Sequence, residues 1–469
     1  MRPTRRSLLW SAGGVLAACA PGTGSVDRVL PGGADTGDTG FPDGTGSTGL
    51  PPGWTGEPGP EPDPWTPDGD EDPAQFPWGV QSGDAIFDGA IVSVRTFEPE
   101  VMLVVVQGTE DGWVEVLTLP NLVPVDKVVQ VELTELIPDT TYAFCFYATD
   151  GVRRSSPGRF RTALYPGGNR LVRFGATSCL GGNEPWESLT QASGELFDFF
   201  VLLGDTVYAD SGWEEPDFEG DWETALAVQG MRDLAQSTSF LATWDDHEVE
   251  DNWSLTEPGM PEQALEALDS FRRAIPQRVG TQGSGLWRTV HWGDTVQVFV
   301  LDCRGERLNG DYISVEQMEW LKQGLLDSTA QFKIVCNSVP ITDMDDVYFG
   351  VAAEDRWDGH PVQKAEILDH IADNAISGVL WIAGDFHWGA LSTIGRPGDP
   401  WDDQREVFCG PGGSGINPIV FLLQPNDHYE LVIKEHNYTA FECDPDAGTI
   451  RVAFIADDGS VIGLSTIAF

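Results

Sequence analysis

The segment TWDDHEVEDNW (Thr243–Trp253) places five carboxylates around His247, in a chain that has only seven histidines. Like charges this close repel one another strongly in a partly desolvated site unless cations offset them. The spacing therefore predicts bound cations. His247, kept protonated by its acidic neighbours, is a candidate general acid.

Other residues capable of chemistry follow short apolar runs that have the length and composition of buried strands. They are Cys179, Asp205, Asp246, Asp302 with Arg304, Asn337, and Asp385 with His387. In open α/β sheets the carboxyl ends of the strands form the ligand crevice, so these side chains are expected to converge there. Carboxylates favour calcium or magnesium, whereas a thiolate, a phenolate and an imidazole favour a transition metal, so the set predicts a mixed metal site.

The chain contains two regions that differ in their pattern of apolar residues, and these regions are expected to position the candidate residues. Over residues 166–469, strand-like runs such as FFVLLGD and GVLWIAGDFHW alternate with helical stretches such as PEQALEALDSFRRAI, which predicts an α/β domain. Over residues 75–165, short alternating runs between Gly, Pro and Asp predict an antiparallel β-sandwich without helices. The placement of Tyr142 resembles the tyrosine corner of fibronectin type III domains, a structural use of tyrosine.

The first 19 residues have the composition of an export signal, with a basic start, a short apolar run and then Cys19. Arg5 and Arg6 resemble a twin-arginine signal, and LAAC at 16–19 resembles a bacterial lipobox. We therefore expect export, lipidation of Cys19 and attachment to the bacterial cell envelope. The alternative is an ordinary secretion signal in which Cys19 is incidental.

The composition limits the classes of partner that the protein is expected to bind. The net charge of −47 opposes binding to a nucleic-acid backbone, so no nucleic-acid-binding surface is predicted, and nothing in the sequence indicates a protein partner. No further run is long and apolar enough to span a membrane, so membrane contact is expected through the lipid anchor only. Residues 20–74, rich in Gly, Pro and Asp, are predicted to be a disordered linker.

Five motifs occur in a fixed order along the chain. They are SCLGG (178–182), GDTVY (204–208), WDDHEVEDNW (244–253), LDCRGER (301–307) and AGDFH (383–387). This ordered set resembles the PhoD-like alkaline phosphatases of the metallophosphoesterase superfamily, and FPWGVQSGD (76–84) resembles the opening of that family's N-terminal sandwich. The resemblance implies a metallophosphoesterase-type αββα sandwich preceded by an all-β fibronectin type III-like domain. It also implies a hydrolase that acts on phosphomonoesters, phosphodiesters or both.

The resemblance further implies a set of metal ligands. A ferric ion would be bound by Cys179, Asp205, Tyr208 and His387. Calcium would be bound by Asp205, Asp246 and Asp385. Asn337 is a possible additional ligand, and Glu248 and Asp245 are candidates for orienting His247 or supporting the metal shell from outside.

Three basic side chains are expected to act on the substrate. His247 would protonate the leaving oxygen. Arg304 would clamp phosphate oxygens in a fork, with Arg307 as a second, less central clamp. The cations would activate water for attack on phosphorus and neutralise charge on the phosphate oxygens.

Two alternatives stay open. One is a catalytically inactive surface lipoprotein that binds or adheres, which the N-terminal sandwich favours; loss of metal ligands would be its expected sign. The other is a purple acid phosphatase, which shares GDTVYA but needs histidine pairs near the C-terminus that AGDFH does not supply. One or two disulfides are possible among five cysteines, Cys145, Cys303, Cys336, Cys409 and Cys443.

Overall fold

The computed structural model describes residues 61–182, 184–210, 216–280, 282–308, 310–344, 347 and 353–469. The predicted export signal with Cys19, and the predicted linker as far as residue 60, lie outside the described residues. Among the described helices, none combines the length and the apolar content needed to cross a membrane.

The N-terminal region is built from two β-sheets. Six strands form the first sheet: β1 (Asp70–Glu71), β4 (Val101–Thr109), β5 (Gly112–Leu122), β7 (Thr141–Ala148), β8 (Arg153–Arg154) and β9 (Gly158–Arg161). Three further strands pair antiparallel in the order given: β2 (Val80–Ile86), β3 (Gly89–Arg95) and β6 (Val128–Leu133). The tyrosine corner is present, because the Ile137 backbone N–H donates to the Tyr142 hydroxyl at 2.8 Å.

A second sheet continues from the N-terminal region into the α/β region. Its additional strands are β10 (Val172–Thr177), β11 (Phe199–Leu203), β12 (Ser239–Thr243), β20 (Asn437–Asp444), β21 (Thr449–Ala456) and β22 (Val461–Ala468). Strand β2 pairs parallel with β12, with Ser82 opposite Ser239, so the sheet runs across the predicted domain boundary at residues 165 and 166. The position of that boundary stays a prediction.

A third sheet of seven strands faces the second one. It contains β13 (Arg288–Trp292), β14 (Val296–Val300), β15 (Phe332–Cys336), β16 (Val379–Ala383), β17 (Gly389–Thr393), β18 (Arg405–Phe408) and β19 (Tyr429–Ile433). Strands β14, β15, β16 and β18 pair parallel with one another in that order, and β13 and β17 pair antiparallel with the outer two, β14 and β18. One apolar core joins the two sheets, as when Phe199 of one sheet packs 5.3 Å from Trp292 of the other.

Helices cover the outer face of each sheet. The second sheet is covered by α1 (Glu187–Ser193), α2 (Phe218–Ala227), α3 (Gln229–Ser237) and α4 (Met260–Ala274). The third is covered by α5 (Val315–Asp327) and α6 (Pro361–Asp373). Each helix buries one apolar stripe, because its apolar residues recur three and four positions apart. The layers form the αββα sandwich that the family resemblance implies.

Part of the linker prediction is wrong. Residues 61–74 are bound to the first sheet: β1 pairs with β8, the Trp113 indole N–H donates to the Asp63 carbonyl at 2.8 Å, and the Tyr147 hydroxyl donates to the Asp68 carbonyl at 3.1 Å. Composition alone underestimates how well such a segment is ordered, because the groups that hold it belong to strands that are distant in the sequence. The six described cysteines are all free and buried, so no disulfide forms among them.

A buried ion pair ties the N-terminal region to the α/β region. The guanidinium of Arg288 donates to both carboxylate oxygens of Asp84 at 2.7–3.1 Å, and neither side chain is more than 1% exposed. Removing one partner of such a pair leaves the other charge buried without compensation.

Asp84→Asn is therefore expected to lower the free energy of unfolding by about 3–5 kcal/mol, measured by urea denaturation. Glu132→Gln is the matched control, because Glu132 is 55% exposed where it meets Arg278. The control is expected to lose no more than about 1 kcal/mol. Equal losses in the two variants would contradict the role given to the buried pair.

Candidate metal centre

The carboxyl ends of strands from both sheets meet at one point. Asp205 follows β11, and the side chains from the other strand ends lie around it. Within each of two groups the ligand atoms lie within 4.8 Å of one another: Cys179, Asp205 and His387; and Asp205, Asp245, Asp246 and Asp385. Asp205 belongs to both groups, so its carboxylate would be shared if each group held a cation. The convergence predicted from the strand ends is present.

Four of these residues have backbone conformations that L-amino acids rarely adopt. The φ angles are 57° at Cys179, 54° at Asp205, 66° at Asp385 and 56° at His387. Each such residue costs on the order of 1–3 kcal/mol, and the cost persists only where the surroundings fix the conformation. Strain of this kind clusters at functional sites, and here it falls on residues that the sequence predicts as ligands.

Tyr208 and His387 lie side by side at the cluster. The Tyr208 hydroxyl donates to Asp205 Oδ2 at 3.3 Å, and its oxygen lies 3.0 Å from His387 Nε2. The Nδ1–H group of His387 donates to the Gly415 carbonyl at 3.0 Å, which leaves the lone pair on Nε2, facing the cluster. Burial lowers the pKa of His387, which favours the neutral form that binds metals.

The cluster carries more negative charge than its surroundings can balance. Burial, reinforced by the neighbouring carboxylates, raises the pKa of Asp205 and of Asp385 well above the usual range. Burial and the charge of Asp205 likewise raise the pKa of the Cys179 thiol. Asp246 Oδ1 is buried and accepts no hydrogen bond from the described residues. The donor set therefore fits bound metal ions, which would hold the thiol and carboxyls in their ionised forms.

His247 lies at the edge of the cluster rather than inside its thiolate group. Its Nδ1–H donates to the Asp210 carboxylate at 2.9 Å, and its ring stacks on Tyr208 with 4.2 Å between centroids. Burial opposes protonation, but the Asp210 hydrogen bond and the charge of Asp246 outweigh it and raise the pKa of His247 to about 9. His247 also lies close enough to Asp205 and Asp246 to be a ligand.

The structure contradicts the predicted phosphate clamp at Arg304. The side chain has no exposed surface, and its Nε–H donates to Asp245 Oδ1 at 2.7 Å. The same guanidinium donates to Asp355 and lies 3.6 Å from Asp246 Oδ1. Since carboxylates enclose the fork, Arg304 positions the acidic ligands and does not present its N–H groups to a substrate.

Arg307 and Asn337 also have other partners. Arg307 donates to Asp355 Oδ1 at 2.8 Å and stacks on Tyr312 at 4.6 Å, so the second predicted clamp belongs to the same network. The Asn337 carboxamide oxygen accepts from Trp357 Nε1 at 3.2 Å and from the Cys303 thiol at 3.0 Å. That oxygen is therefore engaged and does not offer a free lone pair in the way the predicted ligand role requires.

The buried carboxylate of Glu248 accepts hydrogen bonds from the backbone of the two loops that carry candidate ligands. Its Oε2 accepts the backbone N–H groups of Asp205 at 3.0 Å and of Asp245 at 2.9 Å, and its Oε1 accepts that of Thr206 at 2.7 Å. These bonds fix the strained turn at Asp205. Glu248 supports the site from outside, which is one of the two roles predicted for it.

Glu248→Gln is expected to reduce metal affinity and activity by about 10–100-fold, as supporting carboxylates around metal sites do. The amide can accept fewer of the three N–H groups, so Asp205 loses part of its fixed conformation. Isothermal titration with metal and steady-state kinetics would measure the loss. Glu250→Gln, on the same segment but without these bonds, is the control; a loss of the same size there would contradict this role of Glu248.

Sequence reasoning missed several residues of the site. They are Asp210, which orients His247; Asp355, which binds Arg304 and Arg307; and Ser414, whose hydroxyl donates to the Tyr208 oxygen at 2.8 Å. The run GPGGSG at 410–415 is the sequence feature that could have indicated Ser414, because clustered glycines are typical of a tight loop. Its backbone approaches Ser178 so closely that a Cβ at Gly410 would lie 3.0 Å from the Ser178 carbonyl oxygen.

The two facing sheets and the carboxylates at their strand ends define a metallophosphoesterase-like fold with a candidate metal site. The sequence pattern of the PhoD-like phosphatase family matches residues 174–417. The chain belongs to this family, as its motifs predicted.

Individual relatives agree with this assignment. Alkaline phosphatase D of Bacillus subtilis (strain 168) is 25% identical over 320 residues, which cover 57% of this chain and 54% of the relative. The chain thus spans about half the length of that curated relative. A solved structure of PhoD has a TM-score of 0.71 at 20% identity, covering 84% of this chain and 89% of the other.

The fold is also shared outside the family. Purple acid phosphatase PPD1 from yellow lupin (Lupinus luteus) seeds has a TM-score of 0.61 at 14% identity, covering 83% of this chain and 73% of that chain. At this identity the likeness concerns the fold alone.

Proposed function

We propose that the protein hydrolyses phosphate esters at a site that binds iron and calcium. The observation that carries the proposal is the shared carboxylate Asp205, which joins a thiolate–imidazole group to a group made of carboxylates. Two donor sets of different chemistry, bridged by one residue, suit two kinds of cation in contact with the same phosphate.

The candidate ligands form two sets, and each set suits a different metal. Cys179, Tyr208 and His387 with Asp205 would hold a ferric ion, because thiolate and phenolate ligands favour a transition metal. Asp246 and Asp385 with Asp205 would hold calcium, which prefers oxygen ligands. When bound, the cations would supply activated water and neutralise charge on the phosphate oxygens.

The remaining residues would donate a proton to the leaving group or hold the candidate ligands in position. Asp210 occupies Nδ1 of His247, so Nε2 is the atom that can give a proton to the leaving oxygen. Arg304, fixed by Asp355, holds Asp245 and keeps the carboxylate group in place. Glu248 fixes the turn at Asp205.

Export and anchoring are part of the same proposal. The arginine pair at 5 and 6 and the LAAC run ending in Cys19 support a lipid-anchored location at the bacterial cell envelope. An inactive binding or adhesion lipoprotein remains the alternative, and the intact donor set of the metal site counts against it.

The proposal is tested by metal analysis combined with kinetics. We expect natively purified protein to contain iron and calcium by elemental analysis, and to hydrolyse p-nitrophenyl phosphate, bis-p-nitrophenyl phosphate or both. Chelation is expected to remove most of the activity, and defined metals to restore it. Full activity in a metal-free preparation would contradict the metal mechanism, and metal-loaded protein without turnover would favour the inactive alternative.

A further inference from the structure

One loop contacts three of the residues that are proposed to hold iron. This loop, residues 410–417 (GPGGSGIN), follows β18, and we call it the glycine loop. Its first contact is with the backbone of Cys179, whose carbonyl accepts the N–H groups of Gly413 at 3.1 Å and of Ser414 at 2.9 Å. Cys179 has a φ angle of 57°, a conformation that surrounding contacts must hold in place. The two bonds from the loop provide such contacts.

The second contact of the glycine loop is with His387, which it holds in two ways. The Gly415 carbonyl accepts the Nδ1–H group of His387 at 3.0 Å, which directs Nε2 towards the cluster. The backbone N–H of Asn417 donates to the His387 carbonyl at 3.1 Å. The loop therefore fixes both the ring and the backbone of this residue.

The third contact is the hydrogen bond from the Ser414 hydroxyl to the Tyr208 oxygen at 2.8 Å. Ser414 is only 2% exposed, so its hydroxyl is shielded from solvent. Its backbone is held on both sides, because its N–H donates to the Cys179 carbonyl and its own carbonyl accepts from His436 Nε2 at 2.9 Å. The hydroxyl therefore has a fixed position beside the phenol.

The glycine loop is itself held by close packing. A Cβ at Gly412 would lie 2.5 Å from the side chain of Leu180, so the loop fits against the preceding motif only without a side chain there. The Asn437 side chain donates to the Gly410 carbonyl at 2.9 Å and ties the loop to β20. The loop is a fixed support for the residues that it contacts.

The group made of carboxylates is supported by other residues. Glu248 accepts the Asp245 backbone N–H, and Arg304 donates to the Asp245 carboxylate. Among the residues that the structure describes, no hydrogen bond joins the glycine loop to Asp245, Asp246 or Asp385. The two halves of the candidate metal centre therefore have separate supports.

We propose that Ser414 is a positioning residue for Tyr208 as an iron ligand, and that the glycine loop supports the iron half of the centre separately from the calcium half. The inference rests on the proposed function, because it concerns the iron of that proposal. A hydroxyl that donates to a metal-bound phenolate oxygen orients this ligand and withdraws electron density from it. Ser414 thus holds Tyr208 in its binding position and lowers the energy of the phenolate electrons.

The test compares Ser414→Ala with the wild type, both as holoprotein loaded with iron and calcium. The variant loses the hydroxyl but keeps the backbone bonds of the loop. A phenolate bound to a ferric ion gives a visible absorption band by charge transfer, and resonance Raman spectroscopy identifies the band by the phenolate ring vibrations. Iron affinity is measured by titration, and calcium affinity by titration with iron at saturation.

Ser188→Ala is the matched control. Ser188 is fully buried, and its hydroxyl donates to the Gly412 carbonyl at 3.0 Å. This variant therefore loses a buried hydrogen bond to the same loop without losing a contact to a candidate ligand.

We expect the band of Ser414→Ala to move to longer wavelength, because phenolate electrons without the hydrogen bond are higher in energy. Iron affinity is expected to fall by about 10–100-fold, as for other residues that orient metal ligands, while calcium affinity stays at the wild-type value. Ser188→Ala is expected to keep the wild-type band and both affinities.

An unchanged band and iron affinity in Ser414→Ala would overturn the proposal. It would also be overturned by equal changes in Ser188→Ala, by an equal loss of calcium affinity, or by iron-loaded wild-type protein that shows no phenolate vibrations. Wild-type protein that binds no iron would instead refute the iron site of the proposed function.

Discussion

Asp205→Asn is expected to abolish phosphoesterase activity and metal binding together. Asp205 is shared by both ligand groups, and its carboxylate is the only part of the described structure that belongs to both. An amide offers one oxygen and no charge, so it can neither bridge two cations nor offset their charge. Elemental analysis and kinetics on the same preparation would measure both losses.

Asp198→Asn is the matched control for this substitution. Asp198 precedes the same strand, is buried, and pairs with Arg170 at 2.7 Å, at the strand end opposite to Asp205. We expect this variant to lose stability but to retain its metals and its activity per folded molecule. If Asp205→Asn kept its iron and calcium, or if Asp198→Asn lost them equally, the bridging role would be wrong.

His247→Ala is expected to slow hydrolysis of esters with poor leaving groups by roughly two to four orders of magnitude, the usual contribution of a positioned general acid. A good leaving group such as p-nitrophenolate needs little protonation and should lose much less. The metals are expected to remain, because neither the group of Cys179, Asp205 and His387 nor the group of Asp205, Asp245, Asp246 and Asp385 includes His247. The measurement is kcat/KM for alkyl and p-nitrophenyl esters, with iron content determined alongside.

Asp210→Asn provides a graded comparison. Asn keeps a hydrogen-bond acceptor beside His247 but removes the negative charge, so the same leaving-group dependence should appear with a smaller loss. Should His247→Ala lose its iron as completely as Asp205→Asn, or slow good and poor leaving groups equally, His247 is a ligand or an electrostatic support. The ligand atoms of His247, Asp205 and Asp246 lie within 4.8 Å of one another, which is close enough for the three to hold one cation.

The family and the αββα layers could be predicted from the sequence through the ordered motifs and the family resemblance that they carry. The candidate ligands could be predicted from local information: a buried apolar run predicts a strand, and the residue after it must lie at the strand's carboxyl end, where parallel strands bring their end residues together. Cys179, Asp205, Asp246, Asp385 and His387 were found this way. The tyrosine corner at Tyr142 is equally local, because its partner, Ile137, is five residues away.

The tertiary structure decided the roles of the charged residues around these ligands. Arg304 has the composition and position of a phosphate clamp, but its burial depends on Asp245 and Asp355, which come from other elements. In the same way, the contacts that hold residues 61–74 on the first sheet come from distant strands. Sequence spacing determines which residues lie at a strand end. The partner of a long charged side chain is determined by non-local packing instead. Burial removes water from the charged group, and only the residues that the fold places next to that group can offset the loss.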